Sequence, residues 1–393
     1  MPEIPYPLSP EAKAYAREAA ASYSLEDLNA LIAAMGRLKV LVVGDVIIDE
    51  YVLCSVQGIT SKDRTLSCRY QREESHLGGA LAVARHLAGF SNQVSILSVV
   101  GNDAALHSRI LNDLGSAMRL SLCFGDGFRT TVKRRYVERR GIRDEYDKLL
   151  SINFLPQDDG GLSAPDRAEF LRRLSEEAGR FDLVVAADFG HGLIDPDAMD
   201  ILQDKARLLA VNCQTNSSNF GMNPITKYRR ADLFTVDERE LRLAMSDPHQ
   251  PEAVLLEGLL NRLSARAGWV TLGSRGSFAL CSLPEGSGGA SVRTPAFTLS
   301  VQDTVGAGDA FYALASLAFA AGAPLGLASL LGNAAGAVAA NTLGNASSVT
   351  RADVTRLAAP FFSPSKPNQN QNPDQNPLKN VPSTGSGPTE DNP

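Results

Sequence analysis

Cysteine is sparse in this sequence and badly placed for cross-linking. Cys54, Cys68, Cys123, Cys213 and Cys281 are odd in number and include no CxxC pair, which argues against both a disulfide framework and a zinc site. Reduced, partly buried thiols of a cytoplasmic protein are expected instead. Positive charge is not in excess either: the net charge is −6 and the isoelectric point about 5.5. With no basic field to recruit nucleic acid or an anionic membrane, the expected partner is a small molecule held in a pocket. The start, MPEIPYPLSPEAKAY, lacks a basic segment followed by an apolar one, so no secretion signal is expected. The longest apolar stretch, 310–343, is interrupted by Gly322, Pro324, Gly326 and Asn333 and is rich in Ala and Gly; it reads as two buried helices and not as a membrane span. The histidines show no HExxH or HxH spacing, and there is no G-x-S-x-G elbow or Walker A sequence. A zinc hydrolase, a serine hydrolase and a P-loop enzyme are therefore unsupported.

What is present is the composition of a folded α/β protein, 44% hydrophobic and 21% charged over 393 residues. Short apolar runs at 40–43, 94–100, 183–187, 208–212, 232–236 and 269–272 alternate with helical patterns, predicting a doubly wound, mainly parallel sheet with helices on both faces. Segments 51–71 and 130–153 break that rhythm with β-type alternation and a hairpin signal at Arg139-Arg140-Gly141, which predicts a small β-sheet lid. Residues 1–37 read as a helical extension, with Ser24-Leu25-Glu26-Asp27 as an N-cap and a helix ending near Gly36. From 363 to 393 Pro, Asn, Gln and Ser dominate, and a disordered tail is expected. The domain proper is thus expected over 38–362.

The segment Asp303-Thr304-Val305-Gly306-Ala307-Gly308-Asp309-Ala310-Phe311 is expected to follow a strand at 297–301 and to open a long apolar helix. Small residues at 306–308 allow close approach of an anion, and the helix start offers unpaired N–H groups and the positive end of its dipole. Asp309 is placed to accept a proton from a hydroxyl beside that cradle. The bland alternative is a helix-capping Asp after a Gly-rich turn.

DTVGAGDAF closely resembles the second signature of PfkB (ribokinase-like) carbohydrate kinases, and the resemblance extends over 38–360. It implies a ribokinase-like fold, Asp309 as catalytic base, Gly306, Ala307 and Gly308 as anion hole, and ATP with Mg²⁺ as cofactors. Val42-Val43-Gly44-Asp45-Val46-Ile47-Ile48-Asp49 resembles the family's first strand, most of all in heptose 7-phosphate kinases, and implies that Asp45 and Asp49 bind sugar hydroxyls from the end of that strand; capping of turns is the alternative. Leu77-Gly78-Gly79-Ala80-Leu81-Ala82 resembles the first signature, with Gly78 and Gly79 against the sugar, although Ala82 stands where the family commonly has Asn. Arg129-Thr130-Thr131-Val132-Lys133-Arg134-Arg135 is similar to a lid strand of the heptose phosphate kinases. Alternation puts Lys133 and Arg135 on one face and Arg134 on the other, so two cations would suit a phosphorylated acceptor, or else form a solvated face. Ser151-Ile152-Asn153 departs from the Arg-Val-Asp of those kinases.

Asp237 and Glu240 occupy the place of the family's NxxE, which implies nucleotide phosphates and Mg²⁺ near Glu240; helix capping competes. Thr271, Gly273, Ser274 and Gly276 resemble the nucleotide loop TLGxxG. Asp188-Phe189-Gly190-His191-Gly192 resembles an active-site rim element, with no catalytic role expected for His191. The expected function is ATP-dependent phosphorylation of a sugar or sugar phosphate, with a homodimer through the lid as a further expectation. A non-catalytic sugar or nucleotide sensor, and a kinase of an unphosphorylated sugar or nucleoside, remain as alternatives.

Overall fold

The structure, a computed structural model, describes residues 8–140, 145–216, 219–282, 290–298, 301–342 and 345–364. Helices α1 (Pro10–Ser22) and α2 (Leu25–Met35) precede β1 (Lys39–Gly44), β2 (Val46–Ile59), β3 (Leu66–Gly79), α3 (Ala80–Ala88), β4 (Gln93–Gly101) and α4 (Ala104–Leu114). Next come β5 (Arg119–Gly125), β6 (Thr131–Arg140), β7 (Glu145–Phe154), α5 (Ala164–Glu177), β8 (Leu183–Asp188), α6 (Pro196–Lys205) and β9 (Leu209–Cys213). The chain continues through β10 (Leu233–Asp237), α7 (Glu238–Met245), α8 (Glu252–Arg262), β11 (Ala267–Thr271), β12 (Ser277–Cys281), β13 (Ala290–Thr294), α9 (Ala307–Ala320), α10 (Leu325–Ala339) and α11 (Arg351–Ala358).

Nine strands form the main sheet in the order β13-β12-β11-β10-β9-β8-β1-β4-β5. Pairing is parallel from β11 to β5 and antiparallel through β12 and β13. Along β1, Val40 and Val42 enter one core while Leu41 and Val43 enter the other. Burial on both faces is why the run shows no polar alternation. The first core takes residues from α1, α2, α3, α9, α10 and α11, and the second from α5, α6, α7 and α8. The expected doubly wound architecture follows, with helices on both faces.

A separate four-stranded sheet, in the order β3-β2-β6-β7, forms the lid. It is larger than the expected 51–71 and 130–153: its strands run over 46–79 and 131–154. Val46, Ile47 and Ile48 are buried at its root, so their apolar character looked like a continuation of the core strand. Asp45 alone separates β1 from β2. β6 and β7 pair antiparallel as a hairpin, but the expected turn at Gly141 lies outside the described residues.

The expected strand at 297–301 is absent among its described residues, 297, 298 and 301. Phe297 is apolar for another reason: it is buried against Phe361, ring centroids 4.3 Å apart, and Tyr15 of α1, 6.4 Å away. Helix α1 lies within the expected helical extension, which gave it no bounds of its own; Ser9 caps it and Pro10 opens it. The cap at Ser24 is formed as read, with Ser24 N–H donating to Asp27 Oδ2 at 2.9 Å and Asp27 N–H to Ser24 Oγ at 3.2 Å. The stretch 310–343 folds into α9 and α10, and no helix among the described residues is long and apolar enough to cross a membrane. Ser363 bridges to Ser24, so the expected tail starts inside an ordered contact; 365–393 lie outside the described residues.

Candidate active site

Gly306 is the N-cap of α9 with φ +83°, and a Cβ there would collide with the Asn345 side chain. Glycine is required by both backbone and space. The Ala307 amide is committed to the Thr304 carbonyl at 3.3 Å, whereas the Gly308 and Asp309 amides have no acceptor among the described residues. A Cβ on Gly308 would meet nothing within 4 Å, so this helix start faces open space. Asp309 lies in the first turn of α9 and is 7% exposed. Burial, then the nearby Asp49 carboxylate, pushes its carboxyl up to about 7, opposed by Lys133 and by a hydrogen bond from Gln214 Nε2 to Asp309 Oδ1 of 2.9 Å. A carboxyl raised to that range can exchange its proton near neutral pH.

The lid supplies the opposite wall. Asp49 pairs with Lys133 across β2 and β6, and Tyr51 with Arg135, which puts Lys133 and Arg135 on one face as alternation predicts. Arg134 turns away to Glu50 at 2.6 Å. Arg135 is not free to meet a substrate anion: its Nη1 donates to Asp49 Oδ1 at 2.6 Å and its guanidinium lies 5.5 Å from the Tyr51 ring centre. Asp49 Oδ2 accepts from Asn345 Nδ2 at 3.0 Å. Gly78 and Gly79 end β3 against these groups, and a Cβ on Gly78 would strike the Asp49 carboxylate. Lys133 has no ion pair among the described residues; burial lowers its ammonium's affinity for the proton, against the pull of Asp49 and Asp309.

Two expectations are corrected here. Asp49 sits within lid strand β2 and not at the end of the first core strand, because the chain re-enters β structure immediately after Asp45. The Asp45 carboxylate, in turn, gathers the amides of Phe189, His191 and Leu193 at 3.2, 3.3 and 3.3 Å, which makes it a loop organiser; burial and Asp188 push its carboxyl up to about 6. His191 is buried on that loop, and burial with Lys133 nearby lowers its imidazole to about 3. Ala82 is fully buried in α3.

A second cluster lies at the carboxyl ends of β10 and β11. Asp237 caps α7, accepting from Glu240 N–H at 2.7 Å, and faces Thr271 in register. Gly273, Ser274 and Arg275 form one 3₁₀ turn closed by Gly276; φ is +59° at Gly273 and +84° at Gly276, where a Cβ would collide with the Thr294 carbonyl. Glu240 is buried, and both its oxygens are engaged, by Thr215 N–H at 2.9 Å and Asp237 N–H at 2.8 Å. Burial and Asp237 raise its carboxyl. No group of three or more His, Cys, Asp or Glu able to hold a metal occurs among the described residues. Each Glu240 oxygen keeps a lone pair beyond the amide it accepts, so the residue fits the expected place near Mg²⁺.

Sequence reasoning missed Gln214, Asn345 and Asp303. Gln214 and Thr215 join the clusters, the first touching Asp309 and the second Glu240. Asp303 ties the motif to the lid: it accepts from Tyr51 Oη at 2.9 Å and Val305 N–H at 3.2 Å, and pairs with Lys148 at 3.3 Å. These contacts span up to 296 residues of chain, so no local pattern could announce them.

Comparison with known proteins decides between an isolated motif and a domain. Residues 163–352 match the profile of the pfkB family carbohydrate kinases. Over that span the chain matches a PfkB carbohydrate kinase domain. The family so described is one of carbohydrate kinases. The chain is 28% identical over 316 residues to the bifunctional protein HldE of Citrifermentans bemidjiense, covering 78% of this chain and 61% of that protein. Similarity to HldE of Geobacter metallireducens is 29% over 330 residues, 84% of this chain and 64% of the other. The chain spans 61–66% of the length of these and the other first curated relatives. The PfkB fold is also seen in a ribokinase-type structure from Agrobacterium tumefaciens, with TM-score 0.62, 17% identity and coverage of 82% and 98% of the two chains. Phosphofructokinase-2 of Escherichia coli with fructose-6-phosphate gives 0.62, 15%, 82% and 98%.

Proposed function

We propose that this PfkB protein is an ATP-dependent sugar kinase in which Asp309 prepares the acceptor hydroxyl. The observation that carries the reading is a buried carboxylate, titrating near 7, beside two uncommitted amides at an open helix start and facing the lid's Lys133. Asp309 takes up the hydroxyl proton, and the Gly308 and Asp309 amides, with the α9 dipole, stabilise charge on the transferred group. Bound ATP with Mg²⁺ would supply the phosphoryl group, with phosphates toward Gly308 and the loop Gly273–Gly276, and the cation carried by phosphates and water near Glu240. Gly78 and Asp49 line the sugar side; the lid excludes water. ADP release measured across sugars and sugar phosphates tests the reading: turnover that depends on an acceptor supports a kinase, and ligand-induced stabilisation with no ADP release makes it a sensor.

The favoured acceptor is a sugar phosphate of the heptose 7-phosphate kind, in line with the similarity to HldE. A second acceptor, an unphosphorylated sugar, is favoured by one observation: Arg135 is neutralised by Asp49, leaving Lys133 as the cation facing the cleft. Lys133→Met separates the two. At pH 8.5, where Asp309 is ionised, it is expected to raise KM about tenfold or more for a phosphorylated acceptor, the worth of one charge-assisted contact, with KM for ATP unchanged; an unphosphorylated acceptor would show little change.

A homodimer through the lid belongs to the same proposal. Edge strand β3 leaves Leu66 and Tyr70 half or more exposed, and Ile59 at the end of β2 is 71% exposed. An open apolar edge invites pairing. Tyr70→Asp is expected to convert a dimer into a monomer by analytical ultracentrifugation, and a monomeric wild-type chain would refute it.

A further inference from the structure

The base in the proposed reaction does not orient itself. Asp309 is buried, and a carboxylate without a donor in such a place swivels or takes up a proton. Among the described residues the side chain that donates to it is Gln214, Nε2 to Oδ1 at 2.9 Å.

We propose that Gln214 is a positioning residue for phosphoryl transfer, holding the Asp309 carboxylate ionised and aimed at the acceptor hydroxyl. The inference rests on Asp309 being the base. Its first support is that the amide has one workable orientation. Asn212 Nδ2 donates to the Thr235 carbonyl at 2.8 Å, so Asn212 Oδ1 faces Gln214 and accepts from Gln214 Nε2 at 3.2 Å. A flipped Gln214 would set oxygen against both Asn212 Oδ1 and Asp309 Oδ1, two acceptor clashes at once. The relay from the core sheet therefore presents an N–H to the carboxylate.

The second support is that the Gln214 backbone is pinned. Its N–H donates to the Asp188 carbonyl at 2.8 Å, and its carbonyl accepts from Asn219 Nδ2 and Asn223 Nδ2, each at 3.2 Å. Asn216 and Asn219 also donate to the Phe189 carbonyl, at 2.7 and 3.2 Å. These bonds fix the backbone at 214, where the donor is needed. The remaining groups facing Asp309 are Asp49 of β2, Lys133 of β6, Glu240 of α7 and Tyr312 of α9 itself. The carboxylates disfavour the ionised form and Lys133 favours it, so a neutral donor tips a nearly balanced site.

The test is the pH dependence of kcat/KM, which reports the free enzyme, for Gln214→Leu and Gln214→Lys. A base must be ionised, so activity rises with pH through its titration. Removing the donor in Gln214→Leu is expected to move the acid limb up by about one pH unit, with activity returning toward wild type above pH 8.5. Supplying a cationic donor in Gln214→Lys is expected to move the limb down. Recovery at high pH, and opposite directions in two variants, are results that simple loss of packing does not produce. If Gln214→Leu does not fold, Gln214→Lys alone decides by the sign of its shift. Coincident limbs, or a loss equal at every pH, would overturn the inference while Asp309→Asn still abolished turnover; turnover surviving in Asp309→Asn would overturn the kinase reading itself.

Discussion

Asp309→Asn is expected to lower kcat by about a thousandfold, the usual worth of a positioned general base, while nucleotide affinity measured by calorimetry stays within about twofold of wild type. The side chain keeps its shape and its place in the first turn of α9, so only the proton acceptor is lost. The same variant should melt at a higher temperature than wild type at pH 8. The Asp309 carboxyl is held at about 7 against an ordinary 3.8, so the folded protein binds this proton more tightly than the unfolded chain does. Wild-type stability therefore falls as pH rises from about 4 to about 7; Asn cannot ionise and escapes that loss. The advantage should shrink toward pH 4. A variant that retains turnover would remove Asp309 from the chemistry, and one with no high-pH stabilisation would contradict the burial of its charge.

Breaking the Asp49–Arg135 pair is expected to have the largest effect on the fold near the site. Side-chain exposures are 5% and 14%, so a lone survivor would be a buried charge without its paired partner. Asp49→Ala or Arg135→Ala should each cost about 3–5 kcal/mol, read from urea denaturation. The double variant should cost clearly less than the two added together, because each single change already includes the stranded partner. Additive costs would mean that water, not the partner, satisfies each charge. Asp49→Ala should also raise KM for the acceptor, since Asp49 touches Asn345 and crowds Gly78 beside the cradle. Arg135→Ala should act on KM only as far as it displaces Asp49.

Much of the architecture was legible because burial on both faces leaves a simple trace. The runs at 40–43, 94–100 and 183–187 are mostly apolar without strict alternation, and they are strands β1, β4 and β8. The lid was legible by contrast, through alternation without helices, although its root at 46–50 was masked by residues that pack on the body. Errors arose where apolar residues serve something other than a strand. Phe297 fills a seam between α1 and Phe361, and a five-residue window cannot separate that from a short β-strand.

Within the candidate site, the chain itself determined the residue types that chemistry and backbone demand: a glycine at 306, where φ is +83° and a Cβ has no room, and a carboxylate three residues later, inside the first helical turn. Local spacing was enough, because these requirements are met within one turn of chain. Tertiary structure alone decided what each carboxylate does. Asp45 and Asp49 stand four residues apart and look alike in sequence, yet one gathers three loop amides and the other locks Arg135. Gln214, 95 residues from Asp309, meets it through the packing of β9 beneath α9. A carboxylate's charge and direction are set by the donors that folding brings to it, and those donors come from parts of the chain with no local relation to it.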